Sequence, residues 1–404
     1  MQKLRVVLGV LIILFLSIFR VEAQKNLTSQ NGNVSLKPTY IVSPNGSDNN
    51  PGTEEKPFAT IQKAADIVKP GDIILIKAGL YNEHIILRSS GEPGKPIIFM
   101  GERSSEGSWL TNIATGVPVT DWSPATEVGE GVYKTTSIPF NPYCITVDGK
   151  QLLRVADRHM SLDKGKLLPY EQLKQIKGYP KRQEEGIGGF NLLRLPADAT
   201  VKDSQSRPER SYWGGIEALY GYMDRVTYIR FRNGDDPRKI KNIYASQQGT
   251  AFLIDNLSNI IIRDLSVRRA DTCVIIQGEK ATDNIVEGCF LSNGRARIRI
   301  LKKAARNTVQ NNRLTLNYYG LRGSDGSIYK LYSSSGNVYR EYKYTQGQNS
   351  SDDNGISIRL SGSGNIIRNN WLYGGLIGVH ITEVPGVEVY RNIINDMYSI
   401  GLCT

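Results

Sequence analysis

Cysteine and histidine are scarce in this chain, which has four cysteines and three histidines among 404 residues. The cysteines Cys144, Cys273, Cys289 and Cys403 are widely spaced and include no C-x-x-C pair. This spacing predicts isolated buried thiols or at most one disulfide, and it argues against a zinc site.

Long apolar runs are also rare, and the one near the N-terminus extends from Val6 to Phe19. It is shorter than the ~20 residues that a membrane-spanning helix needs. Lys3 and Arg5 precede the run, and small residues ending at Ala23 follow it, with no cysteine for lipoprotein anchoring. We therefore predict a signal peptide over residues 1–23 and a flexible linker over 24–39. The mature protein is then secreted, periplasmic or at the cell surface, with no membrane attachment.

An excess of acidic residues is absent, because 50 Lys and Arg oppose 39 Asp and Glu and give a formal net charge of +11. Such a balance favours acidic partners. For an exported protein these are acidic polysaccharides and not nucleic acids, and a monomer is expected. The Gly-rich stretch EEGIGG lacks the strand and helix signals of a nucleotide-binding loop.

Repeated segments dominate the second half of the chain. NIVEGCFLSNGRARIRI begins at Asn284, NTVQNNRLTLNYYGLRG at Asn307 and NIIRNNWLYGGLIGVHI at Asn365, and they align without a gap. Their short alternating apolar runs, broken by Gly and Asn, are typical of one turn of a parallel β-helix. Asn312 and Asn370 share one column, which predicts a stack of side-chain amides bonded to the backbone at a bend.

One amphipathic helix is predicted before these repeats, at roughly residues 58–68. Phe58, Ile61, Ala64, Ala65 and Val68 fall on one helical face, and Pro70 with Gly71 ends the run. A solenoid exposes apolar core at its ends, so this helix is expected to cap the first turn. The β-helix domain is predicted to span residues 40–404, with insertions near 155–215 and 324–351.

The N-terminal motifs carry a family resemblance. PNGSDNNPGT, KPFATIQKAAD, AGLYNE and SGEPGKPIIF lie between residues 40 and 102. This pattern resembles the N-terminal region of secreted right-handed parallel β-helix proteins of the pectin-lyase-like superfamily, including bacterial polysaccharide lyases and uncharacterised relatives. The resemblance implies an all-β, right-handed parallel β-helix, and it implies the reaction much less strongly.

The last strand of each repeat predicts two outward columns of side chains. The first column contains Ile275, Arg299, Arg322, Ser357, His380 and Cys403, and the second contains Cys273, Arg297, Gly320, Gly355 and Gly378. Neighbours in a column lie ~4.8 Å apart. Arg299 and Arg322, with Arg297 beside them, would repel each other unless an anion lies between them. We therefore predict a site for a uronate or a sulfated sugar, although solvated surface arginines are the alternative.

Further candidate residues flank these columns. His380 is a candidate general base, or else a solvent-exposed imidazole. Asp352 and Asp353 could hold Ca²⁺, or Asp353 could act as a general acid, or both could cap the following turn. Candidate substrate-binding residues are Lys302, Arg359, Tyr318, Tyr332 and Tyr342, the last two in the long Tyr-rich insertion.

The resemblance also implies a reaction. Lyases of this fold neutralise a uronate carboxylate with Ca²⁺ or basic side chains and then remove the C5 proton. By that likeness Arg299 and Arg322 would neutralise the carboxylate, and His380 or one of the arginines would be the base. The clustered aspartates of family-nine pectate lyases are matched here only by Asp352 and Asp353.

Three functions stay open at this point. The first is a polysaccharide lyase, the second is a glycoside hydrolase using Asp353 with Asp271, and the third is a non-catalytic polysaccharide-binding protein. The sequence ends at SIGLCT, inside a predicted strand. We therefore expect further turns to follow in a longer protein.

Overall fold

The structure is a computed structural model that describes residues 37–154, 191–194, 200–201, 210–211, 218–247, 249–316, 354–375, 377–395, 397 and 400–404. The chain divides into two compact units, Met1–Lys37 and Pro38–Thr404, and the second unit is the subject below. Within the described ranges, no helix has the length and apolar character needed to cross a membrane.

Six short strands and one helix open this unit. They are β1 (Tyr40–Val42), helix α1 (Ile61–Ala65), β2 (Ile73–Ile76), β3 (Gly79–Tyr81), β4 (Ile85–Ile86), β5 (Ile97–Gly101) and β6 (Thr111–Ala114). Strands β2 and β4 alternate buried and more exposed side chains, which is the pattern of strands with one face on a core.

Helix α1 is shorter than the predicted helix at residues 58–68. Thr60 is its N-cap, because its hydroxyl accepts a hydrogen bond from the Lys63 amide at 3.1 Å. Phe58 instead forms a parallel bridge with Val42, and Val68 follows the helix. Both residues are nevertheless buried with the apolar face of α1 in the core of the first turn. The predicted buried face is therefore correct, although the predicted helix length is wrong.

A long interruption follows β6. Its elements are β7 (Val117–Pro118), β8 (Ser123–Pro124), β9 (Val132–Thr135), β10 (Pro142–Val147), β11 (Lys150–Gln151), β12 (Leu153–Arg154), helix α2 (Asn191–Arg194), β13 (Thr200–Val201), β14 (Arg210–Ser211), β15 (Ala218–Met223), β16 (Val226–Phe231), a 3₁₀ turn (Pro237–Lys239) and β17 (Ile243–Gln247). We call the part from β7 to β17 the inserted module.

The inserted module is mainly antiparallel. One sheet joins β7, β10, β11 and β17, and a second joins β8, β9, β12, β15 and β16. Ile145, Tyr220, Ile229 and Phe231 belong to a core separate from that of the solenoid. The prediction of β-helix turns interrupted only near 155–215 is therefore wrong. Short apolar runs fit both parallel and antiparallel sheets, and only the pairing distinguishes them.

The remaining strands continue the solenoid. They are β18 (Thr250–Asp255), β19 (Ile260–Arg263), β20 (Ser266–Arg268), β21 (Thr272–Gln277), β22 (Ile285–Glu287), β23 (Phe290–Ser292), β24 (Ala296–Leu301), β25 (Thr308–Gln310), β26 (Arg313–Thr315), β27 (Asn354–Arg359), β28 (Ile366–Arg368), β29 (Trp371–Tyr373), β30 (Ile377–Thr382), β31 (Glu388–Tyr390), β32 (Ile393–Asn395) and β33 (Ile400–Cys403).

Three parallel sheets wind around one apolar core. The first sheet contains β1, β2, β5, β19, β22, β25, β28 and β31; the second contains β3, β6, β20, β23, β26, β29 and β32; the third contains β4, β18, β21, β24, β27, β30 and β33. Each turn visits the three sheets in this order, so a strand pairs with its counterpart one turn later. Ile261 pairs with Ile285, and Ile285 pairs with Thr308. The predicted parallel β-helix is confirmed.

Two ladders of asparagine side chains support the bends. One ladder joins Asn284, Asn307 and Asn365, and the other joins Asn312, Asn370 and Asn392. Each side-chain oxygen in these ladders accepts a backbone amide from the preceding turn, as Asn312 Oδ1 does from Cys289 at 2.9 Å. The predicted amide stack at Asn312 and Asn370 is confirmed.

All four cysteines are free thiols. Cys144, Cys273 and Cys289 are buried, whereas Cys403 is partly exposed. Burial raises the pKa of both Cys273 and Cys289 to about 12. The isolated-thiol alternative is thus the correct one.

Candidate functional site

Both long interruptions leave the solenoid at the same corner. The first separates β6 of the second sheet from β18 of the third, and the second separates β26 from β27 in the same way. The intervening turns have short connections here, from Arg269 to Asp271 and from Asn293 to Arg295. We call this the second corner. Long loops on a rigid scaffold are common carriers of function, so the faces beside this corner are the place to look for a site.

The outward column of the third sheet brings three polar residues together. Arg299 pairs with Ser357, Ser357 pairs with His380, and His380 pairs with Cys403 on successive turns. Because β24 pairs directly with β27, no turn carrying Arg322 lies between Arg299 and Ser357. The predicted place of Arg322 between Arg299 and Ser357 in this column is therefore wrong.

Six of the predicted residues fall outside the described ranges. They are Arg322, Asp352, Asp353, Tyr318, Tyr332 and Tyr342. Their assignments stay predictions. Elsewhere in the described chain, no group of three His, Cys, Asp or Glu side chains converges to hold a metal ion.

Burial on this face is greater than the sequence suggested. Ser357 is 0% exposed and His380 is 6% exposed, while Arg299 is half-buried. Nε2 of His380 lies 3.0 Å from the Thr382 hydroxyl, two residues along the strand. The alternative of a solvent-exposed imidazole is therefore wrong. A buried polar column on the outward face of a strand is unusual, because such faces are ordinarily solvated.

Two more predicted residues lie near the column. Arg359 is half-buried and pairs with Leu301 on one side and Thr382 on the other. Lys302 is exposed at the following bend, where its φ of 52° lies in the left-handed region. Arg359 is thus beside His380 and Ser357, whereas Lys302 lies on the solvent side of the bend.

Arg297 does not face outward. It is 1% exposed, and its Nη1 donates to the Gly294 carbonyl at 3.3 Å. The same column contains Cys273, a member of the apolar core, and Gly378, where an added Cβ would lie 2.6 Å from Ile394 of the second sheet. The chain bends at the second corner and breaks the strand alternation, so this column points inward. The predicted outward orientation of Arg297 is wrong.

Asp271, the carboxylate considered for hydrolysis, is already engaged. It is 3% exposed and forms a two-pronged ion pair with Arg295, whose Nη2 donates to Oδ2 at 2.7 Å. Oδ2 also accepts the Gly249 amide at 3.2 Å. Arg295 Cζ lies 4.6 Å from the ring centroid of Tyr143, which belongs to the inserted module. Asp271 therefore fixes the second corner and is not available as a catalytic acid.

The inserted module contacts the second corner through a hairpin turn. Asp148 and Gly149 join β10 to β11, and both have positive φ, at 49° and 76°, as a two-residue hairpin turn requires. The Asn293 side chain donates to the Gly149 carbonyl at 3.2 Å, and the Gly294 amide donates to Gln151 Oε1 at 2.7 Å. These contacts hold the hairpin against one turn of the solenoid.

Sequence analysis missed the outward face of the second sheet. Phe290, Arg313, Trp371 and Ile393 form one column on β23, β26, β29 and β32. Arg313 Cζ lies 4.3 Å from the Trp371 ring centroid, and Trp371 stacks on Tyr373 at 5.6 Å. The repeat alignment contained the signal, since Phe290, Arg313 and Trp371 follow the leading Asn of their segments by the same number of residues.

Two family profiles match the chain. The family described as periplasmic copper-binding protein (NosD) matches residues 216–402, and a family described as a protein of unknown function (DUF1565) matches residues 44–92. The second match lies within the N-terminal motifs that carried the resemblance. The first covers the solenoid after the inserted module and the last strands of the module.

The chain spans only part of the length of the known proteins that it matches. The uncharacterized protein YwoF of Bacillus subtilis (strain 168) is 48% identical over 58 residues, which are 14% of this chain and 12% of YwoF. The structure of XylC with xylose has 14% identity and a TM-score of 0.48, with 89% of this chain and 66% of XylC covered. Pectate lyase Pel9A has 13% identity and a TM-score of 0.38, with 90% and 56% covered.

The fold and the profile matches agree. Three parallel sheets visited in a fixed order define the solenoid, and parallel crossovers of this kind are right-handed almost without exception. The N-terminal motifs lie in its first turns, as the resemblance implied. The chain is therefore a right-handed parallel β-helix protein.

Proposed function

We propose that this protein is an exported carbohydrate-active β-helix protein that cleaves an acidic polysaccharide by β-elimination. The observation that carries the proposal is the adjacency of Arg299, Ser357 and His380 on three successive turns of the third sheet. A cation, a hydroxyl and an imidazole at this spacing provide the groups that elimination from a uronate needs. The site also lies beside the second corner, where both long insertions begin.

The roles follow from the chemistry of each group. Arg299, with Arg359 in the neighbouring column, neutralises the uronate carboxylate and so acidifies the C5 proton. His380 takes that proton as general base, and its Nε2 contact with Thr382 at 3.0 Å orients the ring. The electron pair left at C5 forms the C4=C5 double bond as the C4–O bond breaks. The departing oxygen takes a proton from the imidazolium, which regenerates His380.

Hydrolysis is less well supported. It needs two carboxyl groups about 5 to 10 Å apart, and Asp271 is occupied by Arg295. A non-catalytic polysaccharide-binding protein is the second candidate, favoured by the column of Phe290, Arg313 and Trp371 on the second sheet. Aromatic and arginine side chains of this kind bind sugars without any need for a base.

The test is an assay of the purified chain on pectate, alginate and sulfated glycans, with and without Ca²⁺. Elimination creates an unsaturated uronate that absorbs in the ultraviolet, whereas hydrolysis creates reducing ends without that absorbance. We expect ultraviolet-absorbing product from one polymer, and a loss of about a hundredfold or more in rate for His380→Ala. Arg299→Ala should lose more rate than Arg299→Lys, because lysine retains the charge.

His84→Ala is the matched control. His84 is exposed on the first turns, with Nδ1 2.9 Å from the Thr250 carbonyl. It should keep the full rate. New reducing ends without ultraviolet absorbance would establish a hydrolase instead, and retention on a polymer without cleavage would establish a binding protein.

A further inference from the structure

A cavity of about 610 Å³ lies between the inserted module and the second sheet. The solenoid contributes Asn112, Arg268, Arg269 and Asn293 to its lining, and the module contributes Asp148 and Tyr244. Ligand pockets for sugars and drug-sized molecules commonly have about 300–1,000 Å³. This volume therefore suits one or two sugar rings.

Two adjacent arginines line this cavity without a carboxylate partner among the described residues. Arg268 donates from Nε to the Ser266 hydroxyl at 2.9 Å. Arg269 lies over Tyr244, with Cζ 3.7 Å from the ring centroid. Neutral groups thus hold both guanidinium groups in place, and the two like charges favour an anion between them. A planar carboxylate is the anion that guanidinium groups bind best in two-pronged geometry.

Groups suited to sugar hydroxyls lie in the same cavity. Thr146 lines it and is 1% exposed, yet its hydroxyl has no hydrogen-bond partner in the described part of the chain. A buried hydroxyl of this kind is costly unless a ligand pairs with it. Asp148 Oδ1 accepts from the Asn242 side chain at 3.0 Å, and the Asp148 carboxylate lines the cavity, where it can also accept from a sugar hydroxyl.

We propose that this cavity binds one acidic sugar residue of a polysaccharide, with its carboxylate on Arg268 and Arg269. The identification of the ligand as part of a polysaccharide rests on the proposed function. The site itself is separate from the third-sheet column and involves no bond making or breaking. The cavity anchors the bound polysaccharide, whereas the proposed elimination takes place around His380.

The outward face of the second sheet continues from the cavity. Asn112 of the cavity begins the column that passes through Ser266 and Phe290 to Arg313 and Trp371. Successive members lie ~4.8 Å apart, so the column extends over several turns. Arg268 lies over the Phe290 ring at 5.1 Å and Arg313 over the Trp371 ring at 4.3 Å, so aromatic rings hold guanidinium groups along the column. Arg313 suits a further carboxylate. The remainder of a bound oligosaccharide lies on this column.

The test is calorimetric titration with saturated galacturonate and mannuronate oligomers, as disaccharides and as hexasaccharides. One series should bind, and Arg268→Ala and Arg269→Ala should each weaken its disaccharide at least about tenfold, the range expected for a charged hydrogen bond. Trp371→Ala should weaken the hexasaccharide and leave the disaccharide unchanged. Neutral maltohexaose should not bind.

Three further variants distinguish a failure of the cavity site from a failure of the proposed function. Arg88→Ala removes the same charge from an exposed position near Asp66 and should leave affinity unchanged. Thr146→Val keeps the buried shape and should weaken binding several-fold without loss of stability. His380→Ala should bind normally even when it has lost activity. Unchanged affinity in Arg268→Ala and Arg269→Ala, or binding abolished by His380→Ala alone, overturns the cavity site, and so does an absence of binding by both uronate series.

Discussion

The backbone amide of Asn312 donates to the side-chain oxygen of Asn370 at 3.1 Å across 58 residues of sequence. The Asn312 side chain in turn accepts from the Cys289 amide and donates to the Val286 carbonyl. The buried side chain of Asn312 therefore satisfies backbone groups on the preceding turn, and the backbone amide of Asn312 is satisfied by the following turn. The ladder thereby compensates for bends at which strand hydrogen bonding is interrupted.

Asn312→Ala should destabilise the protein. The change leaves the Cys289 amide and the Val286 carbonyl buried without partners, at a cost of about 1–3 kcal/mol for each group. Urea unfolding followed by circular dichroism measures this loss. Asn395→Ala, at an exposed position on β32, is the matched control and should change the free energy of unfolding by less than about 0.5 kcal/mol. Equal effects at both positions would contradict the role of the ladder.

Ser357→Ala should behave in the opposite way. The Ser357 hydroxyl is buried and has no hydrogen-bond partner among the described residues, so removing it should not lower the free energy of unfolding. If Ser357 donates to the substrate at the third-sheet site, the same variant should lower kcat several-fold. Urea unfolding and the ultraviolet assay, run on one preparation, separate the two effects. A destabilised Ser357→Ala variant would show that the hydroxyl is structural.

The buried ion pair between Asp271 and Arg295 should stabilise the folded protein far more than an exposed ion pair does. Arg295→Ala leaves Asp271 buried without its cation, and the loss of one partner from a buried pair costs about 3–5 kcal/mol. Arg306 and Asp283 form the same two-pronged pair at the surface. Arg306→Ala should cost less than about 1 kcal/mol. Similar midpoints for the two variants in urea would mean that Asp271 does not depend on Arg295.

Thiol labelling should distinguish one cysteine from the other three. Burial raises the pKa of Cys273 and Cys289 to about 12 and keeps both thiols protonated, and Cys144 is also buried. With iodoacetamide at mildly alkaline pH, only partly exposed Cys403 should be alkylated in the folded protein. Peptide mass spectrometry identifies the site. All four should react in guanidinium chloride, and rapid labelling of Cys273 in buffer would contradict the buried assignment.

Glu83 should make the stability depend on pH at the start of the solenoid. Burial raises the pKa of Glu83, although backbone amides of Ile61 and Gln62 that donate to its carboxylate lower it. The folded state then binds more protons than the unfolded state, so this contribution is largest below the unfolded pKa of about 4.3 and is lost as pH rises through the folded pKa. The stability of wild type relative to Glu83→Gln should therefore fall from pH 4 to pH 7.

Urea unfolding of both proteins at the two pH values measures this difference. Glu55→Gln, in an exposed loop, controls for the loss of one negative charge. A relative stability of wild type that rises with pH would contradict the direction of the Glu83 shift.

The local pattern of the sequence determined much of this protein's fold. Alternating apolar residues with Asn and Gly at regular spacing predicted the parallel solenoid, the amide stack and the buried face of α1, because each of these depends on the periodicity of one turn. The third-sheet neighbours Ser357 and His380 were also predictable, since both lie on uninterrupted repeats. The aligned positions of Phe290, Arg313 and Trp371 contained a signal of the same kind.

Only the tertiary structure decided the rest. Arg299 lies beside Ser357 because β24 pairs directly with β27, and no local pattern predicts that these two strands are neighbours. Arg297 faces inward because the chain bends at the second corner, which breaks the two-residue alternation. The inserted module pairs its strands antiparallel, and its hairpin at Asp148 and Gly149 meets Asn293 across 144 residues. The cavity between them follows from that long-range contact, since strand pairing and docking depend on partners distant in sequence.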